Sequence, residues 1–452
     1  MIDTASHERR STFLSPCEPP RLTTSRGAAL YIGALLGPGL LLLPGLAAAA
    51  AGPASILAWV ALLALSGLFA VVFAALGRRH PCAGGVIGYV TTGLGRRAGV
   101  AAGWCFLAGV VAGAPVVCLI GASYVTRLTG GGQLARAGIA ALLLVVVLAL
   151  AARGLRTSAT AQLLLVGLLI VVVTVAVAGS AGSARAANWT PFAPHGWLAI
   201  GHAAATLMLS FVGWEAVAPL TTQFTDPSRQ LARVVAITLA VTTALYLGLA
   251  IVTVGVLGSG AATLVPLAAL LARVLGPAGN AVAAVAAVVL TLGTTNAYIN
   301  GAAAMAGQMR RAQPSTADGT SSGDRGGSRG DSGSGRSSVS SAGGEARRPA
   351  PRLLAAIAGS GLLLITLYGI GIVSTAELVA IPTTLFLAVY LGCMVAASRV
   401  LDGPARGAAV PAAAAVVVML AYCGWALAAP LVVALAVLWR RFAVTRNVRP
   451  PA

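Results

Sequence analysis

Lysine is absent from this chain and acids are scarce: all 30 basic residues are arginine, against 11 aspartates and glutamates. Charged residues make up 9% of the 452 positions, where soluble domains carry roughly 25%. That excludes a large soluble enzyme with an ordinary hydrated surface. The six cysteines (17, 82, 105, 118, 393 and 423) include no Cys-x-x-Cys pair and mostly lie in or beside apolar runs. They read as small apolar fillers, forming neither a disulfide framework nor a metal site. No Ser/His/Asp set, carboxylate pair, His-Glu-x-x-His or phosphate-cradling loop occurs, and the polar segments are too short to house one. The sequence implies no enzyme and no cofactor.

What is present is apolar length. Hydrophobic residues reach 58%, in runs that attain the ~20 residues needed to cross a ~30 Å hydrocarbon core. Stretches near 28–51, 54–76, 99–125, 134–152, 158–179, 198–222, 231–257, 276–307, 353–373, 376–398, 408–423 and 425–439 predict twelve transmembrane helices. Residues 1–26 are polar, without an apolar core, and read as a tail and not a signal peptide. A net charge of +19 in a soluble chain would suggest nucleic-acid binding. Here the arginines sit between apolar runs, so they orient the chain in the lipid bilayer and no nucleic-acid partner is implied. With the N- and C-termini cytoplasmic, all but four arginines (Arg127, Arg136, Arg185 and Arg273) lie inside, as the positive-inside rule requires. Residues 310–352 are rich in Ser, Gly and Arg and nearly devoid of apolar side chains. They predict a disordered cytoplasmic loop, a solvated spacer or a contact for anionic lipid.

Two stretches carry signs of interruption. The first holds Gly33, then Gly37-Pro38-Gly39, then Pro44-Gly45; the sixth holds Phe211-Val212-Gly213-Trp214-Glu215, then Pro219. Each opens a block of five helices, and breaks at matching places in two halves point to a substrate site. A break inside the membrane frees N–H and C=O groups that lipid cannot satisfy. The N-terminal end of the resumed helix suits a carboxylate, and the freed carbonyls suit an ammonium group. Together they describe a receptor for a zwitterionic amino acid; the competing reading is a pair of proline-kinked structural helices.

These residues resemble the amino acid–polyamine–organocation (APC) superfamily, and most nearly its bacterial exporters of methionine and branched-chain amino acids. Three segments carry the resemblance: Gly37-Pro38-Gly39 with Pro44; Gly77-Arg78-Arg79-His80-Pro81-Cys82-Ala83-Gly84-Gly85 through Tyr89, with Gly103-Trp104; and Phe211 to Ala216, followed by Asp226-Pro227-Ser228-Arg229. It implies an all-α, LeuT-like core of two inverted five-helix repeats (27–179 and 198–398), two peripheral helices (408–441) and a cytoplasmic C-terminal tail (442–452). It also implies a secondary transporter working by alternating access in the bacterial inner membrane. Carried over by position, Gly37, Pro38 and Gly39 face the substrate carboxylate, Phe211, Val212 and Gly213 offer carbonyls to its amino group, and Trp214 is a side-chain neighbour. Pro38 departs from the family pattern, where a small or polar residue is usual, and one amide donor is lost. Some members use a helix-5 lysine in place of sodium; without lysine, that coupling is closed to this chain.

The other polar residues within the stretches divide by role. Glu215 is the one acid well inside a predicted span, where an ionised carboxylate costs ~3 kcal/mol. It is either a proton-coupling gate or a carboxylate satisfied by the amides of the break. His202 reads as a hydrogen-bonded structural histidine. Thr294, Thr295 and Asn296 read as interhelical glue, with Asn296 the candidate to line the cavity and Thr383-Thr384 a weaker one. The apolar surroundings of both breaks suit small neutral hydrophobic amino acids, exported by exchange for protons. The alternatives are an importer of amino acids or amines from the same superfamily, and a non-transporting sensor whose partner would bind the 310–352 loop.

Overall fold

Lipid offers no hydrogen bonds to the backbone, so apolar runs rich in Ala, Leu and Val satisfy their amides internally as helices. The computed structural model describes residues 23–37, 39–80, 85–155, 159–216, 224, 227–311 and 349–446. Its helices are α1 (Thr24–Leu35), α2 (Gly39–Ala51), α3 (Ser55–Arg79), α4 (Val86–Leu94), α5 (Arg96–Thr129), α6 (Gln133–Ala152), α7 (Ala159–Ser180) and α8 (Ala199–Leu207). There follow α9 (Pro227–Leu257), α10 (Pro266–Leu275), α11 (Pro277–Arg311), α12 (Pro351–Gly369), α13 (Thr375–Val400), α14 (Gly403–Ala421) and α15 (Ala428–Arg446). The expected loop falls almost wholly outside the described residues, as do Pro38 and positions 81–84.

Nine helical runs among the described residues are long and apolar enough to span a membrane. The difference from twelve has three sources. The first stretch is divided between α1 and α2, and α2 continues into α3 through a 3-10 turn at Gly52–Ala54, making one run of Gly39–Arg79. Among the described residues the sixth stretch shows the short apolar helix Ala199–Phe211, and the last Gly424–Val437, both below spanning length.

Two short helices, α4 and α10, were not expected as separate elements, and their placement is symmetric. Each immediately precedes the third long helix of its block, α5 with 34 residues and α11 with 35. These two long helices form the most extensive helix–helix interface of the molecule. Several buried Ser and Thr hydroxyls inside the helices donate to the carbonyl one turn back, as Ser123 does to Leu119, Thr242 to Thr238 and Thr383 to Val379. Such bonds make polar side chains tolerable in an apolar bundle.

Candidate substrate cavity at the crossing of two broken helices

The first break opens where α1 ends. The Leu36 amide donates to the Ile32 carbonyl at 2.7 Å and that of Gly37 to the Leu35 carbonyl at 2.9 Å, after which α2 starts at Gly39. The C-terminal pole of α1 thus faces the N-terminal pole of α2 across three residues, a negative and a positive end side by side. The second break follows α8, whose last turn tightens into a 3-10 segment, Met208–Phe211. The chain then turns extended at Val212 (φ −73°, ψ 128°) and resumes as a single turn at Trp214–Ala216. Gly213 holds φ 145°, a conformation costly for any residue with a Cβ. A side-chain carbon there would lie 2.5 Å from the Ala34 carbonyl oxygen, so the two breaks touch through this glycine.

Two tyrosines from outside helices secure the breaks. The Tyr246 hydroxyl, on α9, is shared between the Leu35 carbonyl (2.7 Å) and the Ser210 carbonyl (2.8 Å), one from each break. On α13, the Tyr390 hydroxyl donates to Glu215 Oε2 at 2.5 Å and accepts from the amides of Gly213 (3.0 Å) and Trp214 (3.1 Å). The Gly213 amide also lies 2.9 Å from Glu215 Oε2. Glu215 therefore caps the resumed turn, and Phe69 and Phe73 of α3 set their rings edge-on to Tyr390.

Between the breaks lies a small cavity of about 40 Å³. Leu35, Gly37 and Gly39 line it from the first break, and Leu209, Ser210 and Val212 from the second. The opposite wall is α5, whose Gly109, Gly113 and Val117 lie one turn apart, with Phe386 of α13 over Gly109. Tyr298 of α11 completes it, its hydroxyl 3.8 Å from where a side-chain carbon on Gly37 would sit. Ser210 and Tyr298 supply the side-chain hydroxyls of the lining, and among the described residues no charged one takes part.

Of the residues singled out in the sequence, Gly37, Gly39 and Val212 line this cavity together. Gly213 and Glu215 belong to the break behind it. Phe211 turns its ring away, into a cluster with Trp59 and Tyr246. Trp214 is buried and donates from its indole N–H to Ser66 Oγ at 2.7 Å. Pro38 lies outside the described residues. Asn296 does not line the cavity: its side-chain amide donates to the Leu155 carbonyl at 3.0 Å, tying α11 to the chain after α6. Tyr298, two residues along the helix and so on another face, takes the place expected of it. Thr383 and Thr384 also stay out of the lining, bonding to backbone carbonyls within α13 and, for Thr384, to Ala426. His202 sits 3.3 Å from the Leu198 carbonyl and edge-on to Tyr422, a structural placement.

Ser210, Tyr246, Tyr298 and Tyr390 were not anticipated. A lone hydroxyl in an apolar run has no period, and its importance depends on which helices meet. The i, i+4 spacing of Gly109 and Gly113 was the available signal for the α5 wall.

The sequence profile of a family described as amino acid permease matches residues 22–313. The uncharacterized amino acid permease YecA of Bacillus subtilis (strain 168) is 31% identical over 419 residues, covering 92% of this chain and 94% of that protein. The L-methionine/branched-chain amino acid exporter YjeH of Escherichia coli (strain K12) is 35% identical over 236 residues, about half of each chain (51% and 55%). Among solved structures, MhsT in complex with L-phenylalanine matches with a TM-score of 0.57 at 16% identity, covering 93% of this chain and all of that one, a likeness of fold. That fold is the LeuT-like one that the family resemblance implied.

Proposed function

The chain belongs to the amino acid permease family, a family of transporters and not of enzymes, and from that premise we propose that it moves small neutral, apolar amino acids of the leucine and methionine kind across the bacterial inner membrane. The observation that carries the substrate class is the cavity lining, which is apolar apart from two hydroxyls and the backbone of the breaks. A charged substrate side chain would leave water there without a partner, at a large cost in free energy. In this reading Gly37 and Gly39 receive the carboxylate at the positive pole of α2. Carbonyls at Phe211, Val212 and Gly213 receive the ammonium group, and the small residues of α5 leave room for the side chain.

The direction proposed is export in exchange for protons, with Glu215 as the coupling group. Its carboxylate accepts from Tyr390 and Gly213. A proton on it removes the negative charge from the oxygen that Tyr390 and the Gly213 amide share, so the charge-assisted tie between α13 and the second break weakens. The exporter named among the relatives supports this direction. The distribution of arginines supports cytoplasmic termini.

The test is uptake of labelled leucine or methionine into proteoliposomes holding purified protein, preloaded with unlabelled substrate, with and without a pH gradient. Exchange that accelerates when a proton gradient opposes the amino acid flux is the expected result. Exchange indifferent to pH retires proton coupling, and no exchange by folded protein retires the transport of these substrates.

A further inference from the structure

Residue 38 is proline and carries no N–H. A carboxylate held on the opening amides of α2 therefore meets one donor fewer than the break would otherwise offer. The Ser210 hydroxyl faces that helix start. A side-chain carbon on Gly39, the first residue of α2, would come within 3.0 Å of Ser210 Oγ. Ser210 is 4% exposed, and its hydroxyl makes no hydrogen bond of regular geometry, the Tyr246 hydroxyl being the polar side chain within its reach. Among the described residues it is the buried hydroxyl without a well-formed bond that also lines the cavity.

Hydroxyls such as Ser123, Thr206, Thr242 and Thr383 turn back onto the carbonyl four residues earlier. Ser210 sits in the 3-10 end of its helix and makes no such bond. Its backbone is fixed by Tyr246, which reaches the Ser210 carbonyl at 2.8 Å and the first break at the same time. The side chain is thus held close to the start of α2, buried and with no well-formed bond of its own. Buried polar groups are rarely left without a partner unless a ligand or water supplies one.

We infer that Ser210 is a substrate-binding residue whose hydroxyl donates to the substrate's carboxylate, in place of the amide that Pro38 lacks. The inference rests on the amino acid reading above and deepens it: the second broken helix, which offers carbonyls to the ammonium group, also contributes a donor to the carboxylate. Recognition then requires a free carboxylate and discriminates against the corresponding alcohol.

The experiment is displacement of labelled leucine from purified protein, wild type and Ser210→Ala, by leucine and by leucinol, which keeps the amine and side chain but has no carboxylate. A hydrogen bond to a charged group is worth about tenfold or more in affinity. Ser210→Ala is expected to weaken leucine by at least that factor and to leave leucinol unchanged, so the preference for leucine collapses. The preference is a ratio within one variant and does not depend on the folded fraction. Unchanged leucine affinity, or equal losses for leucine and leucinol, overturns the role of Ser210. A wild-type protein that binds no leucine at all overturns instead the reading on which this inference stands, and the inference with it.

Discussion

Gly39 leaves little room for a side chain. A carbon there meets Ser210 Oγ at 3.0 Å and Leu43 at 3.2 Å. Gly39→Leu therefore fills the cavity and is expected to abolish leucine binding while the protein still inserts and purifies; retained affinity would move the site elsewhere. Glu215→Gln keeps an acceptor for Tyr390 and Gly213, so the break should persist. The account expects transport by this variant to lose its pH dependence, and a pH profile equal to the wild type would leave Glu215 as a cap only. Tyr390→Phe removes the hydroxyl that serves the Gly213 and Trp214 amides and the Glu215 carboxylate. Leaving buried groups unmade costs about 1–3 kcal/mol each, so its thermal midpoint in detergent should fall clearly; an unchanged midpoint would contradict the clamp. At this scale the glycines of the breaks were legible in the sequence, because Gly and Pro inside an apolar run act through the backbone of their own segment. The hydroxyls of Ser210, Tyr246 and Tyr390 were not, since each acts on a neighbouring helix. Asn296 was misassigned for the same reason: its type suited a cavity, but the face of α11 on which it sits meets the Leu155 carbonyl.

The broken helices enclose the proposed site, and they approach each other closely at Gly213. Its φ of 145° alone costs a residue with a Cβ about 1–3 kcal/mol, and the Ala34 carbonyl at 2.5 Å adds a clash. Gly213→Ala should separate the two breaks and reduce both stability and transport, the first measured by thermal unfolding and the second by exchange. Full activity in that variant would mean that the breaks need not touch. The two breaks were legible as elements because glycine and proline interrupt otherwise continuous apolar runs. The short helices α4 and α10, of 9 and 10 residues, were not, because neither is long enough to stand out beside a spanning run. Their symmetric placement before α5 and α11 emerges only from the fold.

At the scale of the whole molecule, the proposed account lets charge set orientation and the cavity set selectivity. Arg127, Arg136 and Arg185 belong to one face of the bilayer in the proposed topology, and Arg153 and Arg399 to the other. In a cysteine-free background, a membrane-impermeant thiol reagent applied to intact cells should label a cysteine at 136 or 185 and spare one at 153 or 399; the reverse pattern would invert the topology. The exposed Arg79–Asp402 ion pair, 2.8 Å long, joins the end of α3 to the link between α13 and α14. Pairs so exposed contribute about 0–1 kcal/mol, so it pins neither the orientation nor the fold. The central claim is that an apolar, uncharged cavity between two broken helices binds neutral hydrophobic amino acids. Its most direct test is competition against labelled leucine on the purified wild-type protein by methionine, isoleucine, arginine and glutamate. The account predicts displacement by methionine and isoleucine and none by arginine or glutamate at the same concentration, whereas displacement by arginine as strong as that by methionine would contradict it.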